Sequence, residues 1–390
     1  MRVFFYRYCS IVEPDILAAF NELGLDIIEM QNPALKKNES ISKKIKLISD
    51  FLLEHPSDFA FSINFFPVLS EICRIFNIPY VCLSVDSPVP EFFSKCIKNE
   101  CNRVFIFDKE DYQLIAPLNP GNVFHIPLAA NVDVFDKRIS SASEDIINKF
   151  KSEISFVGSL YTEKNPYYDF TPEDKYIEGY LDGVMEAQLN VYGYNFIESM
   201  LTDTVVNEFK AHTKNFIQMP DDNFLTDKYT IANHYIGNNI SVMERDRTVR
   251  LLSEKYDFDI YTNSDTSKYP KLKNKGTANS VTEVPIIFNN SRINMNITAK
   301  NIRSGLPQRI WDILGSGGFC LTNYQAEIGE ELIPGIHLET YSSMEELEDK
   351  LKYYLENENK RKEIAQAGYE EVKAHHTWTI RMAQILRTAL

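Results

Sequence analysis

The chain has no run of about 18 apolar residues, and no charged-then-apolar leader opens it, because Met1 to Tyr6 already has a strand pattern. A spanning helix is not expected, and a cytoplasmic chain is. Glycine is missing from the turn after that first strand, Tyr8-Cys-Ser-Ile-Val-Glu-Pro, so the first half lacks the glycine-rich cradle that holds a dinucleotide for hydride transfer. Cysteines are few and mostly unpaired in spacing. Of Cys9, Cys73, Cys82, Cys96, Cys101 and Cys320 only Cys96 and Cys101 are close, with no partner His or Cys, which points to buried free thiols rather than a metal site. No Asp-x-Asp motif follows a strand. Asp221-Asp222 stands between a proline and an asparagine, and no metal and no cofactor are expected.

One absence is local. The chain carries a net charge of −14, yet no acidic residue occurs from Val284 to Trp311, where Arg292, Lys300, Arg303 and Arg309 are all basic. Such an island can capture a small anion and is too small to neutralise the many phosphates of a duplex. Nucleic acid is therefore not an expected partner.

At 390 residues the chain exceeds one ordinary core, and domains of about 150–200 residues are the default. In the first half, strand patterns at Arg2–Tyr6, Asp26–Met30, Phe59–Ile63, Pro79–Ser84, Arg103–Phe107 and Val123–Pro127 alternate with helical ones at Glu13–Leu23, Ser40–Glu54 and Pro67–Phe76. That alternation predicts a parallel α/β sheet of Rossmann-like class. A second series begins at Ile154, with a helix over Lys228–Tyr256 and strands at Phe258–Thr262, Ile293–Ile297, Phe319–Thr322 and His337–Tyr341. Between them, about 162–226, an aromatic and acidic stretch predicts a helical insertion, either a structural cap or a wall that binds the acceptor.

Ser304 to Asn323, SGLPQRIWDILGSGGFCLTN, is the most informative segment. Pro307 suits a helix start, where its missing N–H leaves nothing unpaired. Arg309 then falls in the first turn, which favours an anion, and Asp312 follows at i+3 on the same face. The pair suits a phosphate and a sugar hydroxyl; an i,i+3 ion pair followed by an ordinary turn accounts for the same residues. Gly315, Gly317 and Gly318 end the helix before a short strand.

From INMNITAKNIRSGLPQRIWDILGSGGFCLTN through AHHTW the chain resembles the C-terminal half of bacterial group-1 glycosyltransferases of GT-B architecture. It is most similar to the branch with spore-maturation-type and flagellar or cell-surface enzymes. The segments DFAFSINFFPVLSEICRIFNIPYVCLSVDSP, NRVFIFDKED and VFHIPLAANVDVF resemble the domain of unknown function that precedes the transferase domain there. The resemblance implies two Rossmann-like domains facing a cleft: 1–150 on the acceptor side, 151–376 binding the nucleotide sugar, and 377–390 returning to the first. It implies hexosyltransferase-like transfer from a nucleotide-diphosphate sugar to a protein, such as flagellin, or to a glycan. One departure stands out, because the usual two glutamates eight apart are replaced by Ser304 and Asp312. Asp312 can still hold the ribose. A catalytically inactive sugar-nucleotide sensor and an epimerase of the same fold remain alternatives.

Transfer requires a stabilised diphosphate, an activated acceptor and exclusion of water. The candidates on the nucleotide-sugar side are Gly158, Ser159, Asn131, Thr298, Lys300, Arg309, Asp312, Gly317 and Gly318, with arginine and lysine taking the place of a metal. Asp86, in a loop held extended by Pro88 and Pro90, is the candidate base, and Glu13 before Pro14 is the alternative. His125 is either a core histidine or a base.

Overall fold

In a computed structural model, which describes residues 1–31, 40–218 and 223–390, the chain forms two α/β units. One holds the start of the chain to Ala129 together with 223–225 and 376–390; the other holds the rest from Ala130 to His375. The first boundary therefore precedes residue 150, the limit expected from sequence. The reason is packing, because the helices Val132–Ser140 and Glu144–Phe150 lie against the helix Val284–Asn290 of the second unit.

The first unit is built on six parallel strands: β1 (Arg2–Arg7), β2 (Asp26–Gln31), β3 (Phe59–Ile63), β4 (Tyr80–Leu83), β5 (Asn102–Ile106) and β6 (Val123–His125), in the order β2-β1-β3-β4-β5-β6. FAFSI and YVCL are buried along their whole length, as strands covered on both faces must be. The strand order reverses between β1 and β3. In open α/β sheets that reversal is where a crevice opens at the carboxyl ends. The C-terminal helix Trp378–Ala389 packs on the helix Glu13–Glu22 of this unit, and Thr379 Oγ1 donates to Glu22.

The second unit repeats the plan with β7 (Ser152–Val157), β8 (Phe258–Tyr261), β9 (Lys273–Asn274), β10 (Ser291–Asn296), β11 (Cys320–Asn323) and β12 (Glu339–Tyr341). All are parallel, in the order β12-β11-β10-β7-β8-β9, and here the reversal falls between β7 and β10. The exposed two-residue strand β9 carries no apolar pattern, which is why the sequence does not announce it.

Helices do fill the stretch between β7 and β8, at Lys175–Leu189, Ile197–Met200 and Asp203–Ala211. Much of its aromatic content is internal. Phe170 stacks on Phe209 at 4.2 Å, and both join Leu181, Ile197 and Tyr235 in one apolar cluster. Tyr168, Tyr176 and Tyr194 stay exposed.

Candidate functional site

Three segments of the second unit end together at the β7/β10 reversal. β7 runs into Gly158-Ser159, β10 into Thr298–Lys300, and the helix Gln308–Gly315 starts close by, capped by Pro307 rather than containing it. Gly158 N–H continues the sheet by donating to the Tyr261 carbonyl at 3.1 Å. A Cβ there would come within 3.2 Å of the Phe156 ring, so the turn has little room for a side chain.

Arg245, on the helix Gly237–Lys255, ties the two strand ends together. Its guanidinium donates to the Ser159 carbonyl and, at 2.7 Å, to the Ile297 carbonyl, and it lies 4.1 Å over the Tyr161 ring. Only 7% of this residue is exposed. Tyr161 itself has φ +63, a left-handed conformation that side chains other than glycine rarely adopt and that often accompanies function. Burial holds the Arg309 guanidinium below its ordinary value; Asp312 opposes this, and the charge of Arg245 adds to it. Two guanidiniums thus sit within electrostatic reach of each other. Burial likewise raises the Asp312 carboxyl, against the pull of Arg309 and a 2.8 Å hydrogen bond from Gln308 Nε2.

Lys300 is fixed from several sides. Its backbone N–H donates to Ser241 Oγ at 2.8 Å, its Nζ lies 3.5 Å from Glu244 Oε1, and the same Nζ sits 3.9 Å over the Tyr192 ring. Asn323, at the end of β11, completes the arrangement by accepting from Thr298 N–H at 2.8 Å and donating to Glu244 at 3.2 Å. A cavity of about 270 Å³ opens beside this cluster, lined by Tyr192, Glu244, Arg247 and Ser343 among others.

Gly158, Ser159, Thr298, Lys300, Arg309 and Asp312 therefore lie around one strand reversal. Gly317 and Gly318 do not. They precede β11 at the amino edge of the sheet, past the far end of the helix that begins beside Arg309. Gly317 has φ +70, and a Cβ on Gly318 would meet Asn294 Nδ2 at 2.6 Å and the Phe288 carbonyl at 2.7 Å. Their role is a tight turn and close packing, and the sequence-based assignment to the ligand is corrected accordingly. Asn131 caps the helix Val132–Ser140, accepting from Val134 N–H at 3.4 Å.

Sequence patterns missed Arg245 and Glu244, because SVMERDRTVR has the look of a solvated helical stripe. Neither residue is solvated. Ser304, at the position where the resemblance leads one to expect an acid, donates to Glu327 Oε1 at 2.6 Å, so a carboxylate from the segment after β11 lies there. Asp221-Asp222 falls outside the described residues.

In the first unit, Tyr8, Asn64 and Asp86 meet at the β1/β3 reversal. Asn64, with φ +55, donates to Asp86 Oδ2 at 2.6 Å and to Tyr8 Oη at 2.8 Å, and accepts from Val85 N–H at 3.0 Å. Asp86 is exposed. Glu13 is the opposite, 1% exposed, with its oxygens accepting from Arg7 Nε at 2.9 Å, Tyr8 N–H at 2.8 Å and Ser10 N–H at 3.1 Å. That carboxylate holds the loop after β1. His125 ends β6 with its ring centroid 6.1 Å from that of Tyr112.

The sequence profile of the Glycosyl transferase-like family matches residues 245–387. No curated protein matches the chain. Among solved structures, a glycosyltransferase from Rickettsia africae ESF-5 aligns with TM-score 0.52 at 11% identity, over 99% of this chain and 98% of its own. Anabaena HepE in complex with UDP and glucose aligns with TM-score 0.52 at 10% identity over the full length of both chains. Sucrose-phosphate synthase from Thermosynechococcus elongatus aligns with TM-score 0.56 at 8% identity, over 99% and 98%. These likenesses establish the fold, two Rossmann-like α/β units in tandem as in GT-B structures. No helix among the described residues is long and apolar enough to cross a membrane.

Proposed function

We propose that the protein is a glycosyltransferase that moves a sugar from a nucleotide-diphosphate sugar to a protein or glycan acceptor without a metal. The observation that carries this is the convergence of Arg245, Arg309, Lys300 and the Gly158-Ser159 turn at the carboxyl ends of β7 and β10. Cations held in place before the ligand arrives stabilise a departing diphosphate without reorganising, which is where such electrostatics are most effective. Arginine supplies a planar fork for phosphate oxygens and lysine a compact charge. Asp312, on the same helix as Arg309, takes the ribose hydroxyls. The family profile over residues 245–387 and the nucleotide-bound Anabaena structure support the same substrate class.

In the first unit we assign the acceptor's proton to Asp86 rather than Glu13. Asp86 is exposed and oriented by Asn64, whereas Glu13 is buried and spent on its own loop. Protein acceptors of the flagellin kind and cell-surface glycans rest on the sequence resemblance alone.

Thermal unfolding with UDP, GDP, dTDP or ADP, with EDTA present, tests the reading. A ligand at a hundredfold excess over Kd stabilises by about 2.7 kcal/mol. Absence of a shift with all four sinks the proposal. Slow release of free sugar from the matching donor separates a transferase from a protein that binds the donor and never turns it over.

A further inference from the structure

The amino edge of the second unit's sheet carries a cavity of its own. It measures about 400 Å³ and opens where β10 and β11 begin, at the opposite ends of these strands from Thr298 and Lys300. Lys151, Arg292, Arg361 and Lys362 line it against a single carboxylate, Glu358, in a chain whose net charge is −14. Arg361 is only 5% exposed, yet the one side-chain hydrogen bond it makes among the described residues is from Nη1 to the Tyr354 carbonyl at 2.8 Å. The other donors of its guanidinium are left for the cavity. Burial and the neighbouring Arg292 both hold that guanidinium below its ordinary value, against the pull of Glu358, so the fold keeps two like charges close with a single carboxylate beside them. Arg292 is anchored by the Leu355 carbonyl and by Glu153 at 3.3 Å, and Lys362 by Glu358 at 2.6 Å. Lys151 has no ion-pair partner among the described residues.

Bringing four cations together against one lining carboxylate costs stability, and a bound anion recovers it. We propose that this cavity is a second ligand site, specific for a small phosphorylated anion and separate from the carboxyl-end site of the proposed transferase. Its volume lies in the range of small-molecule pockets, and a concavity of this size with a guanidinium and lysines in its wall suits a phosphate ester rather than an extended polymer. Nothing in the inference depends on the chemistry at the carboxyl ends.

The test is calorimetric titration of inorganic pyrophosphate at low ionic strength on the Arg309→Ala protein, in which the carboxyl-end site is weakened. Binding should persist there, should disappear in Arg309→Ala/Arg361→Gln, and should weaken about tenfold in Arg309→Ala/Lys151→Glu through loss of one charge contact. If Arg361→Gln does not fold, the surface change Lys151→Glu decides alone. No binding to Arg309→Ala, or binding that Lys151→Glu leaves unchanged, overturns the second site. Either result leaves the nucleotide test of the carboxyl-end site standing.

Discussion

Lys300 Nζ lies 3.5 Å from Glu244 Oε1, and both side chains are largely buried. The carboxylate, itself held by Asn323, neutralises the lysine in the free protein, and the lysine lies over the Tyr192 ring. Breaking a buried pair leaves the surviving charge uncompensated, at a cost of about 3 kcal/mol. Glu244→Gln should therefore lower stability to denaturant by about that much without ligand. A nucleoside diphosphate should recover more stability in Glu244→Gln than in wild type, because phosphate then supplies the missing charge. Equal stability of the two proteins would show that the pair is not coupled.

Arg309 and Asp312 should separate in their effects on nucleotide binding. Arg309→Ala removes a charge-assisted phosphate contact and should weaken affinity by about 1.5–3 kcal/mol. Asp312→Asn should cost less, since an amide still bonds a ribose hydroxyl. Calorimetry on both variants checks the order. Wild-type affinity in Arg309→Ala removes that residue from the site.

The strands were legible because their signal is local. Phe59–Ile63 and the helix Pro67–Phe76 are apolar runs with clear stops, and the structure has them at those residues. Arg309 and Asp312 were legible because one short helix carries both. Arg245 was not, because its role comes from two carbonyls, at Ser159 and Ile297, far from it in sequence. The glycines misled for a related reason. A Gly-Gly turn beside a phosphate and one in a crowded strand entry look alike until the sheet assigns each to an edge.

Gly318→Ala tests that correction. The new methyl would lie 2.6 Å from Asn294 Nδ2 and 2.7 Å from the Phe288 carbonyl. Backbone cannot give way cheaply there, and overpacking of this kind costs about 1–3 kcal/mol. Denaturant midpoints should fall while the folded protein keeps its nucleotide affinity. Lost affinity with unchanged stability would return Gly318 to the binding site.

Asp86 and Asn64 give the last test, and it bears on the first unit. Asn64 donates to Asp86 Oδ2 at 2.6 Å and its own position is fixed by Val85 N–H, so the carboxylate is aimed rather than merely exposed. If Asp86 takes the acceptor's proton, Asp86→Asn should lower turnover by roughly 10²–10⁴, the usual contribution of a positioned base. Nucleotide affinity should stay unchanged, since the residues assigned to the donor belong to the other unit. Asn64→Ala keeps the carboxylate but not its aim and should cost about tenfold in kcat, again with normal nucleotide binding. Near-normal turnover in Asp86→Asn rejects the base. Turnover lost in step with nucleotide affinity rejects it equally, because the change would then have acted through the donor site.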